Sequence, residues 1–301
     1  MNSSGALFFT ELLAFFSIYS LGSLAGLLSE KSGIVNIALD GKMIMGGLIF
    51  TLFFQINGFE ESLDWFSSYL ALIFAGLFSM LYATLLCFFT INLLSDHVIT
   101  GTALNMIAPA FSLLVMFAIP NGGTTISDVG HSSSWSGNMD SFVIIMTIVT
   151  VLILLFFTFF FHKTNYGLRL KASGENPYAL ETAGISVKKT RWFSVMTAGF
   201  LSGMAGAIFV ANLDSFSGTV NGSGYLSLAI LILGQWTIIG ITSFSLLFSV
   251  LVAVVSEIDI GISSELAHTI PFILPLIVLV IFKAKSNGPS SAGKPFKKDM
   301  R

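Results

Sequence analysis

The chain has 301 residues, 54% of them hydrophobic and 10% charged, with a formal net charge of −2 and a mean hydropathy of +0.87. A soluble domain carries about 25% charged residues, so this chain lacks the polar surface to cover a soluble globule, and a soluble enzyme, a disordered chain and a coiled coil are excluded. What remains is an all-α polytopic membrane protein, because the apolar runs are continuous and lack the period-two alternation of a membrane β-barrel.

A helix needs about 20 mainly apolar residues to cross the hydrocarbon core. Runs of that order fall at Leu7–Leu28, Ile34–Ile56, Tyr69–Ile91, Val98–Ile119, Ser141–Phe161, Trp192–Leu213, Gly224–Ile239, Ile241–Val255 and His268–Phe282. They predict about nine transmembrane helices, with a range of about eight to ten because two short runs abut at Gly240. The N-terminus lacks the basic region of a secretory signal, so the first run is expected to stay as a span. The divisions are an N-terminal transmembrane half (1–161), a basic loop (162–191), a C-terminal transmembrane half (192–283) and a basic tail (284–301).

The basic residues are partitioned. Of 14 Lys and Arg, six lie in the loop (Lys163, Arg169, Lys171, Lys188, Lys189, Arg191) and six in the tail (Lys283, Lys285, Lys294, Lys297, Lys298, Arg301), leaving Lys31 and Lys42. The positive-inside rule puts both blocks in the cytoplasm. The connections Gly58–Ser68, Pro120–Asp140, Asp214–Ser223 and Ser256–Ala267 contain no Lys or Arg and face outward. The expected topology is N-terminus outside and C-terminus cytoplasmic. Asn121-Gly-Gly and Asn221-Gly-Ser-Gly read as outer turns, and the Pro/Gly/Ser-rich tail as a mobile cytoplasmic end.

Gly22-x-x-x-Gly26 in the first span is matched by Gly199-x-x-x-Gly203 in the sixth. Small residues four apart permit close helix approach in lipid. The two spans start from opposite sides, so they fit either simple packing or an inverted repeat, the architecture in which transporters place substrate near the midplane. The second run carries Asn36, Asp40 and Lys42 in apolar surroundings, and charge at membrane depth is expensive. Asn36 and Asp40, four apart, would share a helix face, and Gly41 permits a break. Two readings stand: a broken helix lining a cavity, or a polar cytoplasmic turn before a span starting near Met43. Asn105 and Gln235 are further polar residues within spans, suited to helix–helix hydrogen bonds or to a ligand.

Other chemistry is lacking in the sequence. Cys87 is the one cysteine, placed in an apolar run, and His97, His131, His162 and His268 show no metal-ligand spacing. No GxxxxGK[ST] phosphate loop or GxSxG nucleophile motif occurs, so no catalytic residue, metal or cofactor is expected on this chain. In the basic loop, Asn176 can cap a helix with Pro177 in its first turn. That helix is expected to run Pro177–Thr182 or a little further and to end near Gly184, either as a docking knob for a soluble partner or as part of a linker.

Gly174-Glu-Asn-Pro-Tyr-Ala-Leu-Glu-Thr-Ala-Gly-Ile resembles the coupling-helix motif of bacterial ABC importer permeases, the branch that handles ribose, galactose, branched-chain amino acids and nucleosides. Leu28-Ser-Glu-Lys-Ser-Gly-Ile-Val-Asn-Ile-Ala-Leu-Asp-Gly resembles the signature of the nucleoside (simple sugar-type) permeases, which usually have Glu where this chain has Asp40. Asp96-His-Val-Ile-Thr-Gly-Thr-Ala-Leu-Asn resembles a second signature, usually with Gln at the His97 position. Ser227-Leu-Ala-Ile-Leu-Ile-Leu-Gly-Gln-Trp resembles a third, often basic at the Gln235 position. Gly293-Lys-Pro-Phe also matches. The four motifs stand in the expected order over roughly residues 20–300.

The resemblance implies a non-catalytic permease subunit in the bacterial cytoplasmic (inner) membrane. Its expected partners are an ABC ATPase that holds ATP and Mg, a second permease subunit of the same or a different kind, and a nucleoside-binding lipoprotein. It implies that Arg169, Gly174, Glu175, Asn176, Pro177, Ala179, Glu181 and Gly184 form the ATPase-coupling site. Asn36, Asp40, Asn105 and Gln235 are the candidates for the translocation path. A monosaccharide or branched-chain amino acid is the competing substrate, and an ion-driven secondary transporter is a more distant alternative.

Overall fold

The computed structural model describes residues 3–57, 64–119, 122–127, 129, 139–257 and 288–296. The expected span His268–Phe282, Lys283 and Lys285 lie outside the described residues, as do parts of the connections 58–68, 120–140 and 256–267. The described elements are α1 (Ser3–Lys31), α2 (Leu39–Asn57), α3 (Asp64–Cys87) running into a π turn (Phe88–Asn92), α4 (His97–Ala118), β1 (Ile126–Ser127), α5 (Met139–Lys163), α6 (Asn165–Glu175), α7 (Pro177–Thr182), α8 (Val187–Leu213), β2 (Ser215–Phe216), α9 (Ser223–Leu233) and α10 (Ile238–Glu257). Among the described residues six helices are long and apolar enough to cross a membrane: α1, α3 with its π turn, α4, α5, α8 and α10. The protein is therefore mostly helical and multi-pass.

Two helices form the axis of the bundle. α1 and α8 are buried along most of their length, and they pack against each other. Their glycine pairs explain how the neighbours come so close. A Cβ at Gly22 would meet Ser227 of α9, and one at Gly26 would meet Leu231 of α9 and Leu39 of α2. Gly199 and Gly203 of α8 face Ser79, Met80 and Ala75 of α3 in the same manner. Gly46 of α2 lies on the Gly203 backbone, and Gly206 of α8 on the Met43 backbone. In lipid no hydrophobic force draws helices together, so backbone approach and dispersion must. α4, α5 and α10 are peripheral and expose Ile99, Met106 and Leu114, Leu152, Phe156 and Phe159, and Ile239 and Leu246.

The ends of the bundle differ. At one end β1 pairs antiparallel with β2, Ile126 opposite Phe216. At the other lie the end of α5, α6, α7 and the start of α8, which carry Lys163, Arg169, Lys171, Lys188, Lys189 and Arg191; we refer to this as the basic end.

Five expectations are corrected. The second run does not start as a helix at Ile34 or at Met43: residues 32–38 are non-helical and α2 begins at Leu39. The cause is a left-handed Gly33 (φ +96°) followed by a turn in which the Ser29 Oγ donates to the Ile34 carbonyl (2.9 Å). Asn36 therefore does not share a helix face with Asp40. Gly41 is no break either; it sits in the first turn of α2, where its missing Cβ lets Asn105 and the Leu104 carbonyl of α4 approach. The run Gly224–Ile239 is not one span. α9 has 11 residues, about 16 Å of helix and half a bilayer, and ends in a turn where Gln235 and Trp236 adopt positive φ (52° and 53°). The tail, read as a mobile end, packs onto the protein at 288–296, through bonds described below. In addition, the basic loop holds a helix that sequence reasoning missed, α6, and α8 starts at Val187, five residues before Trp192, taking in a buried Arg191 (2% exposed).

Gly46→Ala forces a methyl against the α8 backbone, and overpacking of this kind costs about 1–3 kcal/mol. The variant should unfold at a lower temperature in detergent, whereas Gly5→Ala, where a Cβ meets nothing within 4 Å, should melt like the parent chain.

Candidate functional site

The basic end is built around α7. Asn176 ends α6, its N–H bonding the Ala172 carbonyl (2.9 Å), and its Oδ1 then accepts from the Ala179 N–H (3.1 Å) to cap α7. Pro177 occupies the first turn, where its missing N–H removes nothing. Gly184 stops the helix at φ +80°, with the Ile185 N–H returning to the Leu180 carbonyl (3.2 Å). This reproduces the helix expected from Asn176, Pro177 and Gly184 in the sequence. Tyr178, Ala179, Thr182, Ala183 and Gly184 are exposed, while Leu180 is buried with Val187 and Phe296.

The coupling candidates divide into two groups. Ala179 and Gly184 are exposed, and Arg169 is half-buried with its guanidinium over the Tyr166 ring (5.3 Å). Others hold the knob in place. Gly174 is buried against the Lys31 carbonyl and Pro289. The Glu175 carboxylate accepts from the Ser290 hydroxyl (3.0 Å). The Glu181 carboxylate accepts from the Val187 N–H (3.1 Å) and so caps the start of α8.

Residues 288–296 form a strap across this end. Ser291 N–H donates to the Gly174 carbonyl (2.9 Å) and Gly293 N–H to the Gly33 carbonyl (3.1 Å). The Phe296 ring packs on Tyr178, with centroids 5.1 Å apart. Arg191 joins the pieces: its Nε donates to the Ser32 carbonyl (3.2 Å) and its Nη1 to the Lys294 carbonyl (3.4 Å). Sequence reasoning missed both the strap and Arg191. The Gly293-Lys-Pro-Phe motif was the available signal; in the structure Gly293 is left-handed (φ +76°).

The second cluster lies at the start of α2, beyond the 32–38 break, and it brings together three of the four path candidates. Asn105 Oδ1 accepts from the Gly41 N–H (2.7 Å), and its Nδ2 donates to the Ile37 carbonyl (2.8 Å) and to the Tyr225 hydroxyl (2.9 Å). Asp40 Oδ1 accepts from the Gly224 N–H (3.0 Å), in the first turn of α9. Lys42, fully buried, donates from Nζ to Asn36 Oδ1 (2.6 Å). Gln235 lies apart, in the α9–α10 turn, donating to the Ile232 carbonyl (3.3 Å). Tyr225 was missed; it is 46% exposed although its hydroxyl is held by Asn105. The hydroxyl-bearing ring opening an otherwise apolar run was the signal.

The electrostatics follow from helix ends. Asp40 stands in the first turn of α2 and also caps the first turn of α9. Unpaired N–H groups give a helix N-terminus a partial positive charge, so two such ends meet at one carboxylate. Among the described residues no group of three or more His, Cys, Asp or Glu could hold a metal ion.

The chain belongs to the family described as branched-chain amino acid transport system / permease component, whose model matches residues 8–279. It is similar to the nucleoside ABC transporter permease protein NupC of Lactococcus lactis, with 32% identity over 90% of each chain. It is also similar to the guanosine ABC transporter permease protein NupQ of Bacillus subtilis, with 29% identity over 93% of each chain. An uncharacterized Mycoplasma genitalium protein, MG121, is 33% identical over 93% of this chain and 94% of its own. No solved structure matches the chain.

Asn105→Ala leaves the Gly41 N–H, the Ile37 carbonyl and the Tyr225 hydroxyl without their partner. A buried group stripped of its bond costs about 1–3 kcal/mol. The variant should show a lower thermal midpoint in detergent than the parent chain.

Proposed function

We propose that this protein is a permease subunit of an ATP-driven ABC importer for nucleosides. The observation that carries the importer reading is α7, a short helix capped at both ends, with one face exposed and the other pinned by Leu180 to Val187 and Phe296. The nucleoside reading is supported by the similarity to NupC and NupQ. The basic end is cytoplasmic, in keeping with its lysines and arginines, so the strap faces the cytoplasm. A separate ATPase chain supplies ATP hydrolysis and docks on α7, with Arg169, Glu175 and Glu181 nearby. A second permease subunit and a substrate-binding lipoprotein complete the importer.

The substrate passes beside Asp40, Asn105 and Tyr225. Helices that begin at membrane depth and aim their N-termini at a polar site are a recurrent transporter device. The two halves form an inverted repeat, α1–α2–α3 matching α8–α9–α10, with about nine membrane segments in all, α9 a half-length one. What supports this is the pairing: α1 packs on α8, α9 and α10, and α8 packs on α1, α2 and α3. Motion of α7 reaches α8 through Leu180 and Val187. It reaches the break before α2 through the strap and Arg191.

Reconstitution with the ATPase and binding lipoprotein tests the reading. Nucleosides should stimulate ATP hydrolysis, whereas stimulation by ribose or leucine and not by nucleosides would overturn the substrate assignment. In the same system Glu181→Ala and Gly184→Val should insert normally and cut nucleoside uptake at least about tenfold, a loss of coupling worth about 1.4 kcal/mol. Normal uptake in both variants would remove α7 from the coupling path.

A further inference from the structure

A cavity of about 280 Å³ opens at the basic end, away from the Asp40 cluster and from the exposed face of α7. Lys31 closes α1, His162 lies in the last turn of α5, Lys171 is on α6, and Trp236 sits in the turn before α10. All four line it, together with apolar Phe161 and Ile239. Among the described residues no acidic side chain lines it.

The nearby acids are already engaged. The Glu30 carboxylate accepts from the Trp236 indole N–H and from the Asn36 N–H. Glu175, which attracts Lys31, accepts from Ser290. Lys171 donates to the Phe161 carbonyl (3.1 Å), yet its ammonium and that of Lys31 still repel each other. Two like charges facing one partly enclosed space, with a histidine beside them, make a site for an anion. The rim is apolar and faces outward at Ile239, which is 78% exposed. A tryptophan and basic residues at the end of membrane-crossing helices mark head-group depth, and basic pockets between such helices recognise anionic head groups.

We propose that this cavity binds the phosphate of an anionic phospholipid, with Lys31 and Lys171 pairing with the phosphate and Ile239 alongside the acyl chains. The assignment is independent of what the protein transports, and its test reads lipid binding without transport.

Native mass spectrometry of the full-length chain released from mild detergent tests it, with phosphatidylglycerol or phosphatidylcholine added. The chain should retain phosphatidylglycerol in preference to phosphatidylcholine. Lys31→Gln and Lys171→Gln should each weaken that retention about fivefold, the ratio that about 1 kcal/mol of attraction per basic side chain gives. Lys163→Gln and Lys188→Gln, exposed at the same end but outside the cavity, should leave it unchanged. If Lys171→Gln fails to fold through loss of its bond to Phe161, Lys31→Gln decides alone. Equal retention of the two lipids, or equal losses in all four variants, overturns the site. Displacement of the lipid by millimolar inorganic phosphate overturns the lipid assignment in favour of a free anion.

Discussion

The structure depends on how one stretch of non-helical backbone is buried inside an apolar bundle. Residues 32–38 leave α1 and enter α2 with Ile34, Asn36 and Ala38 fully buried. Unpaired N–H and C=O groups at that depth cost several kcal/mol each, so partners must be found. Ser29 and Glu30 of α1 supply some. His97 accepts from the Val35 N–H (3.3 Å) and Asn105 bonds Ile37, both from α4. Ser173 of α6 and Arg191 of α8 share the Ser32 carbonyl, and the strap takes Gly33. Satisfying this short segment ties together α1, α4, α6, α8 and residues 288–296.

That bonding pattern links the two functional clusters. The basic-end elements, α6, α7 and the strap, reach one side of the break; Asn105, Asp40 and Lys42 stand at its other side. A displacement of α7 relative to the bundle must either carry the break along or strip polar groups of their partners. Because packed interiors move between discrete arrangements and do not deform continuously, such a linkage suits a machine that alternates between two states.

Much of this was readable from sequence wherever the determinants are local. Apolar runs located the long helices, and Asn176, Pro177 and Gly184 marked where α7 starts and stops, since capping and the left-handed stop act within one turn. The suspicion attached to Asn36, Asp40 and Asn105 rested on the cost of polarity in lipid, and these three do converge. What stayed hidden depends on contacts far apart in the chain. The break before α2 turns on Gly33 and Ser29, but its Ser32 and Gly33 carbonyls are held by Ser173, Arg191 and Gly293, none of them near it in sequence. The strap looked like a loose end because its Pro, Gly and Ser were counted by composition, while their bonds go to Gly33, Gly174 and Glu175. Gln235 was grouped with the others because it interrupts an apolar run, but its turn bonds locally and takes it elsewhere.

Hydrogen–deuterium exchange on the full-length chain in a lipid bilayer, comparing Arg191→Leu with the parent, tests the central claim most directly. Removing the guanidinium frees the Ser32 and Lys294 carbonyls together. The account predicts faster exchange in both residues 32–38 and residues 288–296, with α3 and α10 unchanged. Unaltered exchange in either segment, with Arg191 gone, would contradict it.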